Sequence, residues 1–136
     1  MILKKKDKIK KYTTPSNRVG YPSGTCISTE RGIFYVKNQK RYRLISQRVA
    51  DSWNFPRIIV SSEAAAAGLK ISGKLGFREG TLINNLSDGK IYLISENKKR
   101  QLHDPKWLNL LNYDVSDALL VSHEEANLHE DGEPLN

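Results

Sequence analysis

The sequence is poor in the residues that staple small proteins or carry chemistry. Of its 136 residues one is cysteine and three are histidine. A single cysteine makes no internal disulfide and excludes a four-cysteine or mixed Cys/His zinc site; a reducing compartment is compatible with it. Cys26 sits beside Ile27 in an apolar run, the setting of a small buried hydrophobe, and nothing near it supplies the base or positive field a nucleophile needs. His103, His123 and His129 lack the i, i+4 spacing of a helical zinc site and read as surface or capping residues. There is no phosphate-binding loop and no dinucleotide fingerprint. The acids Glu124, Glu125, Glu130, Asp131 and Glu133 lack the order of an EF-hand loop and read as a solvated acidic end. No catalytic residue, metal ligand or cofactor is expected, and the chain is read as a non-enzyme. Long hydrophobic runs are also missing, so no membrane-spanning helix is expected. The opening MILKKKDKIKKY has basic residues without the apolar stretch of a secretory leader.

Charge is abundant, and it is unevenly placed. Residues 1–18 hold seven Lys and Arg against one acid, a net of +6; residues 19–75 hold nine against three, again +6; residues 76–136 hold six against eleven, a net of −5. A chain so divided favours head-to-tail association, or a basic end that docks on an acidic surface or on nucleic acid.

The chain repeats itself. VGYPSGTCI, Val19 to Ile27, is matched by LGFREGTLI, Leu75 to Ile83, 56 residues later. The match continues through Phe34-Tyr35-Val36 with Ile91-Tyr92-Leu93, Lys40-Arg41 with Lys98-Lys99, Asn54-Phe55 with Asn112-Tyr113, and Val60-Ser61-x-Glu63-x-Ala65 with Val121-Ser122-x-Glu124-x-Ala126. The offset grows from 56 to 57, 58 and 61, with each step near Gly, Asn or Asp, where turns tolerate insertion. This predicts a β-rich α+β fold built from two tandem copies of one small unit. The boundaries are a basic N-terminal arm at 1–18, repeat unit 1 at 19–74 and repeat unit 2 at 75–136.

Each unit is expected to hold three to four short strands and one short helix. GTLI and KIYLI read as strands about a turn at Asp88-Gly89, and a turn at SENK leads to a third strand. Asp104-Pro105 reads as a helix start and places Trp107, Leu108 and Leu111 on one face. A last strand follows in ALLVS, and then a helical turn begins at Ser122. In the first copy the Val49–Trp53 helix, RIIVS and the turn at Ser62-Glu63 take the same places. GLKISGKLGF reads as a linker. The expected core is Ile27, Tyr35, Leu44 and Val60 in the first copy, and Ile83, Tyr92, Leu102, Trp107, Leu111 and Val121 in the second.

The pattern G-T-x-I, G-x-[IF]-Y-[LV], K-[KR], a short helix ending in an aromatic, then V-S-x-E-x-A, resembles a short tandem repeat of bacterial surface proteins and of tailed phages. WNFPRIIVSSEAAAAG and LGFREGTLINNLSDGKIYLIS are most similar to small virion structural proteins of marine phages, especially those of cyanobacteria. The resemblance spans about residues 19–136 and implies a non-enzymatic part of the particle: a neck, tail, baseplate or capsid accessory protein. It would be made in the host cytoplasm, multimeric within the assembly, and partnered by other virion proteins rather than a membrane. No catalytic residues come with it.

Two groups of residues are candidates for contact. In the arm, Leu3, Lys4, Lys5, Lys6, Lys8, Ile9, Lys10, Lys11 and Tyr12 combine charge with a few apolar side chains, the composition of a segment that orders on a partner. On the strands, Lys40, Arg41, Arg43, Lys98, Lys99 and Arg100 form a basic patch interleaved with tyrosines. The bland reading of that patch is a solvated turn between strands. The alternatives are weak, nonspecific contact with nucleic-acid phosphates or docking on an acidic protein surface. A module for cell-surface glycans is the third functional reading.

Overall fold

The computed structural model describes residues 20–104 and 106–135, so the basic arm lies outside the described residues. The fold is α+β and rich in strand, with two five-stranded sheets among the described residues.

In the first sheet, β1 (Cys26–Thr29), β2 (Gly32–Lys37) and β3 (Lys40–Arg43) form an antiparallel meander. Helix α1 (Gln47–Trp53) follows, then β4 (Ile59–Val60), helix α2 (Glu63–Ala66) and β5 (Lys70–Lys74). β4 joins β1 in parallel and β5 lies beside β3, giving the order β4-β1-β2-β3-β5. The second sheet repeats the plan with β6 (Leu82–Asn85), β7 (Ile91–Ser95), β8 (Lys98–Gln101), β9 (Leu119–Val121) and β10 (Glu130–Asp131), in the order β9-β6-β7-β8-β10. Its helices are α3 (Lys106–Leu110) and α4 (His123–Ala126). The fifth strand of the first sheet comes from the segment expected to be a linker; KISGK is β5, despite its glycine.

Local chemistry places these elements. The β2–β3 and β7–β8 turns are made by Asn38-Gln39 (φ 53° and 64°) and Glu96-Asn97 (φ 54° and 64°). Two consecutive left-handed residues match the right-handed twist of the flanking strands. Each turn is held from the same place: Ser23 Oγ accepts from the Asn38 N–H at 2.9 Å, and Glu79 Oε1 from the Glu96 N–H at 2.8 Å. Ser46, Ser62 and Ser122 cap α1, α2 and α4 by accepting from the N–H three residues on.

The internal repeat is real at the level of backbone geometry. Gly24 and Gly80 have φ of 95° and 85°, and their N–H groups donate to Val36 O and Ile94 O, both at 2.8 Å. Those bonds correct the expected pairing inside the strands. Val36 corresponds to Ile94, and Tyr92 therefore matches Phe34, not Tyr35. The ladder agrees, with Ile27 opposite Phe34 and Ile83 opposite Tyr92. A one-residue slip sends every side chain to the other face. Accordingly Phe34 and Tyr92 are both buried, whereas Tyr35 is half-buried. The last segment is corrected in the same way: the caps pair Ser62 with Ser122, and buried Ala66 pairs with buried Ala126. Phe55 and Tyr113 do correspond, each following a left-handed asparagine, Asn54 at φ 52° and Asn112 at φ 63°.

The first core gathers Ile27, Phe34, Val36, Ala66 and Leu69, with Tyr21, Ile59 and Ile71 against it. Their counterparts Ile83, Tyr92, Ile94, Ala126 and His129 are all buried. Of the other expected core residues, Val121 is buried, while Leu44, Leu102 and Trp107 are half-buried. Val60 is 85% exposed and Leu111 37% exposed, contrary to expectation. Val60 lies opposite Ser28 on the face away from the core, and Leu111 falls just beyond α3, whose buried residue is Leu108.

By its contacts the chain divides into two compact units. Among the described residues the first holds 20–43 and 56–73, and the second holds 44–55 and those from 74 onward. Helix α1, which the repeat assigns to the first copy, belongs to the second unit.

Candidate functional site

The structure separates the members of the basic strand patch. β3 and β8 alternate, so Lys40 and Lys98 are exposed while Arg41 and Lys99 are buried, at 4% and 7% exposure. Arg41 lies opposite Val36 in the ladder, and so shares the core face.

In the first unit Arg41 uses its planar fork. Nη1 and Nη2 donate to Glu63 Oε2 and Oε1 at 2.7 and 2.8 Å, Nε donates to Leu69 O at 2.9 Å, and the guanidinium lies 4.7 Å from the Phe34 ring centre. The Arg41 guanidinium, opposed by partial burial and assisted by the Thr29 hydroxyl, brings the Glu63 carboxyl down to about 2. Arg43 also stacks over Phe34 and donates to Arg31 O at 2.6 Å.

In the second unit Lys99 does the equivalent work with a point charge. Its Nζ donates to Asn127 Oδ1 and His129 O, both at 3.0 Å, and Asp131 Oδ1 lies 3.4 Å away. The ammonium sits 5.8 Å from the Tyr92 ring centre. Burial, together with a hydrogen bond to Asp88, pushes the Tyr92 hydroxyl up to about 12. Arg100 Nε donates to Glu133 O at 2.7 Å. Arg41 and Lys99 are therefore internal struts that tie the end of each unit to its sheet; in the patch Lys40 and Lys98 are exposed, and Arg43 and Arg100 are half-buried.

Other candidates for chemistry are also engaged internally. Cys26 is buried as expected, and burial lifts its thiol to about 11, which suppresses the thiolate. His129 is not a surface residue; it is 2% exposed. Its Nε2 accepts from the Phe77 N–H at 2.8 Å, which leaves Nδ1–H to donate to Asn97 O at 3.0 Å. Burial holds it below the usual histidine range, against a smaller upward effect of the Asn97 carbonyl. Glu125, expected in the solvated acidic end, is 3% exposed. It completes a capping box with Ser122 and accepts from the Ser46 hydroxyl. Burial raises its carboxyl, but the bonds from Ser122 and Ser46 outweigh that and hold it below its ordinary value. Nothing in the sequence marks Glu63, Glu125, His129 and Ser46 as partners; the matched positions of Arg41 and Lys99 are the one hint of a shared internal role.

Among the described residues, no group of three or more His, Cys, Asp or Glu is arranged to hold a metal ion, and no helix is long and apolar enough to cross a membrane. The surface also presents single apolar side chains. Val60 on β4 and Leu120 on β9 occupy equivalent positions on the outer strands, opposite Ser28 and Asn84, and are 85% and 54% exposed. Leu86, Leu110 and Val115 add further exposed apolar side chains in the second unit. No protein-family model, curated protein or solved structure matches the chain.

Proposed function

We propose that this chain is a non-enzymatic structural or adaptor component of a tailed-phage particle, placed in the neck, tail, baseplate or capsid, and acting through protein–protein interfaces. The observation that carries the interface reading is the matched pair Val60 and Leu120, exposed on the outer strand of both sheets. An outer strand offers unpaired backbone groups to a neighbour, and an apolar side chain there adds area to bury. The particle itself enters through the repeat pattern. The experiment is mass spectrometry of particles purified through a density gradient: the chain should be present at a fixed ratio to the major structural proteins. Removing residues 1–18 should lower that ratio, because the arm would order on a neighbouring subunit. Absence from the particles removes the reading.

The nucleic-acid alternative loses two of its six strand cations to internal pairing, Arg41 and Lys99. DNA binding by the purified protein should be weak, blind to sequence and lost steeply with salt.

A further inference from the structure

Helices α1 and α3 hold equivalent places in the repeat, each followed by a left-handed asparagine, yet among the described residues only α1 is gripped along its side. Within the second unit the Ser46 hydroxyl donates to Glu125, and Arg48 Nη1 lies 3.7 Å from the same carboxylate. Ser52 Oγ accepts from the Arg78 N–H at 3.2 Å, and Trp53 Nε1–H donates to Gly76 O at 2.9 Å. The corresponding positions around α3 are Asp104, Lys106, Leu110 and Leu111. All four are exposed, Leu110 at 73%.

The receiving positions have counterparts as well. Gly76, Arg78 and Glu125 correspond to Gly20, Pro22 and Ala65 in the first copy. Gly20 and Pro22 are exposed and Ala65 is half-buried. The residue changes on the two sides fit each other. Ser52 with Arg78 becomes Leu110 with Pro22, so the acceptor and the N–H donor disappear together and leave two apolar groups. Ser46 with Glu125 becomes Asp104 with Ala65, so the carboxylate that would repel Asp104 is gone. Charge points the same way, with a net of −5 over residues 76–136 and +6 over residues 19–75.

We infer that α3 of one copy seats on the Gly20, Pro22 and Ala65 surface of a second copy of this chain, as α1 is seated within the chain. The contact joins two different surfaces, so copies add head to tail and the series stays open. The inference rests on the assembly reading for its biological purpose, while the contact itself is a property of the purified protein.

Sedimentation velocity of the full chain at low salt tests it. The mass should rise above the 15.4 kDa monomer as concentration increases. Two double variants separate the ends: Leu110→Glu with Leu111→Glu removes the donor face, and Pro22→Glu with Ala65→Glu removes the receiving face. Each alone should stay monomeric where the unmodified chain associates, with an unchanged circular dichroism spectrum. Mixed, they should form a one-to-one pair and nothing larger, because each keeps one intact end. An unmodified chain that is monomeric throughout, variants that associate as it does, or a mixture that stays monomeric overturns the inference. A monomeric chain that is nevertheless present in particles removes this contact and leaves the assembly reading standing. A self-associating chain absent from particles does the reverse.

Discussion

In the first sheet the inward cation of the third strand is an arginine that meets a carboxylate; in the second it is a lysine that meets an amide oxygen, a carbonyl and a more distant acid. Both lie beside the aromatic ring of the neighbouring strand, and both donate to the backbone carbonyl that precedes the last strand, Leu69 O or His129 O. What the fold requires at this position is a long cation that brings that carbonyl to the sheet. Which cation serves depends on the acceptors supplied with it. A guanidinium fork suits the two oxygens of Glu63, while an ammonium, with three separate donors, suits three separate oxygens. The comparison shows two copies of one unit diverging in sets of interacting residues rather than one residue at a time.

The largest expected effect follows from that difference. Arg41→Met leaves Glu63 partly enclosed without its partner. Breaking a buried ion pair from one side costs about 3–5 kcal/mol, and the 25% exposure of the Glu63 side chain places this case toward the lower end. Lys99→Met leaves mainly neutral acceptors unpaired, at about 1–3 kcal/mol. Urea unfolding of both variants checks the order. Equal losses would mean that the carboxylate contributes nothing special to the first unit.

A second contrast lies at the glycines that open the two copies. A Cβ on Gly76 would stand 2.5 Å from His129 Cε1 and 2.7 Å from Nε2, whereas one on Gly20 would meet nothing within 4 Å. The imidazole is buried and bonded at both nitrogens, so it has little room to yield. Gly76→Ala should destabilise by about 1–3 kcal/mol, the usual cost of overpacking, and Gly20→Ala should leave the melting temperature unchanged. A Gly76→Ala protein that melts with the parent would show that the ring can move.

The copies should also differ in their response to acid. His129 stands where the first unit has Leu69, and its folded pKa lies below its ordinary value of 6.5. The unfolded chain therefore binds the proton first, so this contribution is complete above about pH 6.5 and is lost as pH falls below it. Glu63, held at about 2 against an ordinary 4.5, loses its contribution only as pH falls through that lower window. Stability measured at pH 7.5 and 5.5 should fall in the parent, and the fall should shrink in His129→Leu. A variant with the parent's full pH dependence would assign it to another group.

Much of this architecture was legible in the sequence, and the failures have physical causes. The meanders, turns and serine caps follow from short-range chemistry. Identical letters mislead about register: Tyr35 with Tyr92 and Val60 with Val121 match in type but not in environment. Alternating burial would have set Phe34 against Tyr92 and Val36 against Ile94. Strand β5 looks like a linker in sequence because its glycine and lysines hide a pairing supplied by β3. The burial of Arg41 and Lys99 is hidden in sequence because charge normally belongs at the surface; for Arg41 the cross-strand neighbour Val36 shows otherwise. The arm candidates, from Leu3 to Tyr12, lie outside the described residues. The receiving surface for α3 was invisible in one dimension, since its residues come from opposite ends of the first unit.

The smallest effect on stability is expected at the outer strands, and that smallness gives the test its value. Val60 and Leu120 are 85% and 54% exposed, and each lies on the face opposite the core of its sheet. Threonine is itself β-branched, a shape that strands favour. Val60→Thr and Leu120→Thr should each change unfolding free energy by no more than about 0.5 kcal/mol, as surface substitutions do. If these side chains serve a neighbour, incorporation into particles should fall while the melt stays put. If instead a variant loses several degrees of thermal stability, its side chain packs within its own unit, and the outer strands no longer support the interface reading.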